Sequence, residues 1–192
     1  MKDGDEPRLT LKNVRRHFRT INSHRYLVFK HCCRCGLFWQ GLFHDLSKYS
    51  PQEFWVGARY YQGDRSPNDA ERRVSGASSA WMHHKGRNKH HFEYWNDINP
   101  ASKRYEPVEM PVRYLIEMFC DRVAASKIYR GDAYVDRDPL DYFLRGMKND
   151  RPIHPKTAKQ LEKLLRMLAE QGEEKTFAYI RHIRREAKKR GA

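Results

Sequence analysis

The chain has 192 residues and a formal net charge of +14, with aromatic side chains at 12%. That length suits one domain with a sizeable core, the aromatic content argues against disorder, and the charge favours anionic substrates or acidic partners over basic ones. No apolar run approaches the ~18 residues that a membrane span requires. The polar, acidic start Met1-Lys2-Asp3-Gly4-Asp5-Glu6 is unlike a secretory signal, so a cytoplasmic location is expected.

After a frayed lead over residues 1–8, helical spacing runs from about Leu9 to Gly36, through Val14, Phe18, Ile21, Leu27, Val28 and Cys32. Ser23 is placed to cap a second helix within it, and Gly36 to end it. A helix over Trp39 to Tyr49 follows, then another opened by Ser50-Pro51 with Glu53 in its first turn. Residues 62–76 are polar and rich in turn formers, which predicts an exposed loop. Helix resumes from Ala77 to His84 and breaks over Lys85-Gly86-Arg87-Asn88-Lys89. A strong helix covers Pro111 to Tyr129. Residues 131–155 are mixed, with Pro139, Pro152 and Pro155 as stops, and an amphipathic pair of helices divided by Gly172 closes the chain. Leu161, Leu164, Leu165 and Leu168 read as core. No strand alternation and no repeat is visible, so the class is all-α over a single domain, 1–192. Cys32, Cys33, Cys35 and Cys120 are too crowded for a disulfide framework and lack a second CxxC pair, which makes them buried thiols of a reducing compartment.

The chemistry gathers around His44-Asp45. A neutral imidazole and a carboxylate are ligands that divalent Mn, Fe, Zn, Ni or Co accept together. Neighbours on a helix project about 100° apart, so one can cap a metal while the other turns to a second. Lys48, four residues on, comes round to the face of His44 and offers a cation to an anionic ligand. His83-His84 and His90-His91 form two doublets. Asp121 interrupts an apolar helix face, where a buried carboxylate needs a cation nearby. His17, His154 and His182 stand among charges or loops and are expected to face solvent.

The order His24, His44-Asp45, Asp121 resembles the HD-domain superfamily of metal-dependent phosphohydrolases. His24-Arg25-Tyr26-Leu27-Val28 is similar to its first ligand segment, His44-Asp45-Leu46-Ser47-Lys48 to its HD-x-x-K motif, and Phe119-Cys120-Asp121-Arg122-Val123-Ala124-Ala125 to its last aspartate. More narrowly, Gly41 to Pro51, His83 to Trp95 and Met118 to Ser126 look like a bacterial and phage family catalogued only as a domain of unknown function, over roughly residues 10–150. The resemblance implies an HD-like helical bundle over about 10–150 with a metal site at its centre, followed by basic C-terminal helices at about 155–190. It implies His24, His44, Asp45 and Asp121 as ligands of one metal, and His84, His90 and His91 as ligands of a second. His31 competes with His24, because the spacing from His24 to His44 is short for the superfamily, and His83 competes with His84. The Gly-Tyr-Pro signature of cyclic dinucleotide phosphodiesterases is absent.

The expected function is hydrolysis of phosphate esters, of nucleotides or similar anions, with one or two divalent transition metals. Asp45, Lys48 and Glu93 are the catalytic candidates, Glu93 as a proton shuttle. Lys48, Lys85, Arg87, Lys89 and Arg122 are candidates for gripping phosphate, arginine through its bidentate fork. A diiron oxygenase of HD type is the alternative enzyme. A nucleic-acid or protein binder with a structural metal is the non-enzymatic one, and the basic tail of Arg181, Arg184, Arg185, Lys188, Lys189 and Arg190 suits a phosphate-rich partner as well as a solvated helix end.

Overall fold

The computed structural model describes residues 7–149 and 151–189, without the side chains of 187 and 188. The acidic lead from Met1 to Glu6 and Arg190 of the basic tail lie outside the described residues. Among those described, the chain forms eight α-helices and one two-stranded antiparallel sheet, joined by 3₁₀ turns and loops. The class is mostly helical, as expected, and no described helix is long and apolar enough to cross a membrane.

α1 (Leu11–Arg34) starts where the Asn13 amide donates to Thr10 Oγ1 across 3.1 Å. It is one uninterrupted helix, and Ser23 caps nothing. Ile21, His24, Val28, His31 and Cys32 continue a single buried face past that serine, so packing overrides the local cap signal. Gly36, with φ of 77°, takes the left-handed position just beyond its end.

α2 (Phe38–Phe43) is shorter than the helix expected over 39–49. His44 turns extended, Asp45 adopts left-handed dihedrals (φ 53°, ψ 29°), and Leu46–Tyr49 follows as a 3₁₀ turn. The reason lies in α1. Arg25 donates to the carbonyl of His44 at 2.8 Å, to that of Leu42 at 3.0 Å and to the Tyr49 hydroxyl at 3.1 Å, which satisfies carbonyls that a continuing helix would have used.

α3 (Pro51–Arg59) begins as expected, with proline at its first position and Glu53 in its first turn. Inside the stretch expected as loop lies α4 (Pro67–Ser75), closed by Gly76 at φ 74°. Ser66-Pro67 repeats the start signal of Ser50-Pro51. Glu71 is drawn inward from α4, accepting from the Ser78 hydroxyl at 2.5 Å and from the Ser79 amide at 2.9 Å. α5 (Ser79–Lys85) precedes the loop with the second histidine doublet. A small hairpin of β1 (Asn96–Ile98) and β2 (Tyr105–Pro107) corrects the strand-free reading; three-residue strands are too short to show alternation.

α6 (Val112–Arg130) is the centre of the core, through Leu115, Ile116, Phe119 and Val123. It packs against α1 on one side and against α7 (Asp138–Met147) and α8 (Pro155–Lys189) on others. α8 breaks at Gly172 (φ 77°, ψ 175°), and Leu161, Leu165 and Leu168 before the break and Phe177 and Ile180 after it all enter the same core. Cys32, Cys35 and Cys120 are buried thiols, with 3.8 Å between the sulfurs of Cys35 and Cys120, whereas Cys33 is exposed.

His17 departs from its expected exposure. It is 8% exposed, ringed by Phe54 and Tyr61, and a Cβ on Gly57 would collide with its imidazole. His154 is half-buried and His182 exposed.

Two predictions follow from this packing. A Cβ on Gly41 would lie 2.7 Å from Cys32 Cβ and 3.2 Å from Phe29 Cα, so α2 cannot rest on α1 at this distance with any larger residue. Gly41→Ala should lower stability by about 1 to 2 kcal/mol in denaturant unfolding, the overpacking cost exceeding the gain in helix propensity. Burial presses His17 and His31 down to about 4 from the usual 6.5. Above pH 6.5 both are neutral whether folded or unfolded. Below it the unfolded chain takes up protons that the folded chain refuses, so stability falls from pH 6.5 to about 4, by on the order of 3 kcal/mol for each histidine. Urea midpoints across that range should drop, and His17→Phe should flatten part of the slope.

Candidate metal centre

Five segments converge on Asp45. α1 brings His24, the turn after α2 brings His44 and Asp45, α5 brings His84, the following loop brings His90 and His91, and α6 brings Asp121. The left-handed turn lets both members of the His-Asp pair face one centre, with His44 Nε2 3.3 Å from Asp45 Oδ2. In a helix they would have diverged by about 100°.

The two oxygens of Asp45 face different partners. Oδ1 lies 3.3 Å from His84 Nε2 and 3.3 Å from His90 Nε2, and His91 completes that group. Oδ2 faces His44 Nε2, His24 Nε2 at 3.9 Å and the Lys48 ammonium at 2.7 Å. Asp121 Oδ1 closes the second group, 2.9 Å from His24 Nε2 and 3.6 Å from His44 Nε2. In each group the donor atoms all lie within 4.8 Å of one another. Among the described residues, His24 Nε2, His44 Nε2, His90 Nε2 and both Asp45 oxygens are buried and make no hydrogen bond of good geometry. His84 Nε2 and His91 Nε2 face each other across 2.8 Å, a contact that needs a proton or a cation between the two nitrogens. This donor set fits two divalent ions, since each group offers nitrogen and carboxylate atoms in numbers that one ion accepts and one Asp45 oxygen faces each group.

A second ring of carboxylates orients the imidazoles. Glu117 accepts from His44 Nδ1 at 3.0 Å and lies 3.2 Å from His90 Nδ1, while Gln40 donates to its other oxygen at 2.8 Å. Glu53 accepts from His84 Nδ1 at 2.7 Å and from His83 Nδ1 at 2.6 Å. A proton on Nδ1 leaves the lone pair on Nε2, the atom aimed at the centre.

The electrostatics hold Asp45 and Asp121 ionised and His24 and His91 neutral, the forms that a metal takes, with His44 the exception. Burial opposes the charge of Asp45, yet His44, Lys48 and His84 hold its carboxyl well below the usual range. Burial opposes the charge of Asp121 as well, and hydrogen bonds from His24 and His44 bring it well down. Glu117 falls to about 2 against its burial, through His44 and His90. Burial, reinforced by His90 and His84, keeps His91 neutral well below its ordinary value. His24 is lowered by burial and by Lys48. His44 alone is raised, burial being outweighed by Asp45, Asp121 and Glu117.

All seven residues expected as ligands are thus brought together, and one member of each pair left open reaches the cluster. His24 reaches the centre, while His31 points elsewhere, its Nδ1 3.3 Å from the Cys120 carbonyl and its ring against Phe177. His84 enters and His83 stays outside on Glu53. Lys48 arrives by a 3₁₀ turn three residues from Asp45 and is paired to it, not held free on the face of His44.

The other candidates are in neither ligand group. Arg87 is exposed and donates to the His83 carbonyl, and Lys89 lies 5.8 and 5.9 Å from the ring centres of Tyr94 and Tyr114. Lys85 is half-buried at the end of α5. Glu93 is in neither ligand group; burial raises its carboxyl, against the pull of Arg122, Arg151 and Lys85. The sequence reading missed Glu117 and took Glu53 only as a helix-start residue. Glu117 had a signal, one turn before Asp121 in an apolar helix, where a carboxylate needs a partner as much as Asp121 does.

A family described as a family of unknown function (DUF5662) matches residues 13–167, and the chain belongs to it. No curated protein and no solved structure matches the chain.

If Glu117 orients both imidazoles, Glu117→Gln should leave the fold intact and weaken divalent metal binding about 10- to 100-fold. Competition against a chromophoric chelator reads this directly; an unchanged affinity would assign Glu117 to packing alone.

Proposed function

We propose that this member of a family of unknown function is a metal-dependent hydrolase of phosphate esters, with an HD-domain-like helical core and two divalent ions bridged by Asp45. The observation that carries the reading is the Asp45 carboxylate, shared between two sets of ligand atoms of which His24 Nε2, His44 Nε2 and His90 Nε2 are buried without a hydrogen bond. His24, His44 and Asp121 would hold one ion with Asp45, and His84, His90 and His91 the other. Divalent ions bound there supply Lewis acidity, a nucleophilic water near neutral pH and charge neutralisation at phosphorus.

The chain's own contribution is preorganisation. Glu117 and Glu53 fix ring orientation, Lys48 fixes Asp45 Oδ2, and burial of the ligand atoms keeps bulk water from competing for them. The preference for an anionic substrate rests on Arg122, next to Asp121, on Lys85 and on the net charge of +14. Six His and Asp side chains around the Asp45 carboxylate also suit a diiron oxygenase of HD type, which is the second reading.

Elemental analysis followed by a panel of phosphomonoesters and phosphodiesters tests the proposal. Purified wild type is expected to carry close to two transition-metal ions and to turn over at least one substrate. Asp45→Ala should lose the metal and at least about 100-fold in turnover, and Asp45→Asn, which tolerates the left-handed backbone, separates lost ligation from lost folding. Bound iron with a charge-transfer band and oxygen consumption would replace the hydrolase by the oxygenase. A metal-free wild type at neutral pH would end both.

A further inference from the structure

We infer that Arg122 and Arg151 form an oxyanion subsite on the buried face of α7, beside the candidate metal centre, which takes a second phosphoryl group of the substrate. The role in substrate binding rests on the hydrolase reading; the anion site does not.

Arg122 Nε is buried and makes no hydrogen bond among the described residues, and its guanidinium lies 5.7 Å from the ring centre of Phe143. Arg151 lies flat against Gly146, where a Cβ would stand 2.8 Å from its Cζ and 3.0 and 3.1 Å from two of its nitrogens. Phe143 and Gly146 are both buried and sit three residues apart on α7, so the two guanidiniums share one helix face within a turn. Neither has a carboxylate within ion-pair distance among the described residues. Arg122 feels Arg151 as a like charge, Glu93 and Asp121 are the acidic groups that act on Arg122, and Glu93 feels both arginines.

A half-buried guanidinium whose buried Nε has no acceptor, with a second guanidinium beside it, is costly unless an anion joins them. Two planar forks at one place suit a tetrahedral phosphoryl oxyanion, which accepts bidentate bonds from both. Asp121 acts on Arg122 more than any other charged group does, which sets a group held here on the Asp121 side of the metal centre. A substrate with two phosphoryl groups, or a phosphodiester with a further phosphate, fits that pairing.

The test is titration of inorganic phosphate into the full-length protein by calorimetry, in EDTA and at fixed ionic strength. Wild type should bind, and Arg122→Gln and Arg151→Gln should each weaken binding about tenfold or more. Gly146→Ala retains every charge and suits a helix better, yet pushes the Arg151 guanidinium aside, so it should fold at least as well as wild type and still bind phosphate several-fold more weakly. Arg104→Gln, which removes one exposed charge elsewhere, should change nothing. Equal affinity of Gly146→Ala and Arg151→Gln to wild type overturns the subsite, as does an equal loss in Arg104→Gln, which would reduce the effect to net charge. Asp45→Ala separates the two readings: retained phosphate binding in that variant supports the subsite even if the metal proposal fails, and its loss places phosphate at the metal ligands and overturns the subsite.

Discussion

The carboxylate of Asp45 is 1% exposed and stands among four imidazoles and one ammonium, while its backbone holds a left-handed conformation that L-residues adopt reluctantly. Both conditions are costly. An unpartnered buried charge is penalised by several kcal/mol, and the backbone strain adds on the order of 1 kcal/mol. They persist because the surroundings over-determine them. Arg25 holds the carbonyls of Leu42 and His44, Lys48 holds Oδ2, and Gly41 lets α2 approach α1 closely enough for the turn to reach the centre.

The groups that face Asp45 come from its own turn and from four other parts of the chain. α1, the turn, α5, its following loop and α6 each contribute one or two donors, so the donor geometry exists only when these elements are packed. The core beneath, centred on α6, is therefore a support for the ligands as well as a source of stability. Glu117 belongs to both: it projects from the helix whose apolar face is the core and reaches the rings of His44 and His90 from behind.

The helices with long apolar periods or strong start signals were legible from the residues, such as α6 from its apolar density and α3 from Ser50-Pro51. The same signal at Ser66-Pro67 was outweighed by the polar loop residues around it, and α4 was read as loop. The break between α2 and the His-Asp turn is written in Arg25, a residue of another helix, and no local pattern shows it. The residues that converge on Asp45 are legible because each is chemically unusual in its setting. Glu117 is as unusual in the apolar α6 but shows its role only when the fold sets it against two imidazoles, and Arg151 looks like an ordinary surface residue until the fold lays it on a glycine. His17 was misread for the same reason, since its cover comes from Gly57 and Phe54, far along the chain.

The grip of Glu117 on both His44 and His90 has a dynamic side. These rings belong to different ligand groups, and their centres stand only 4.3 Å apart. One carboxylate bonded behind both means that neither ring can swing without disturbing the other's tether. Ordering one of these rings therefore removes freedom from the other, so an ion bound in one group would leave the ligands of the other already set in place.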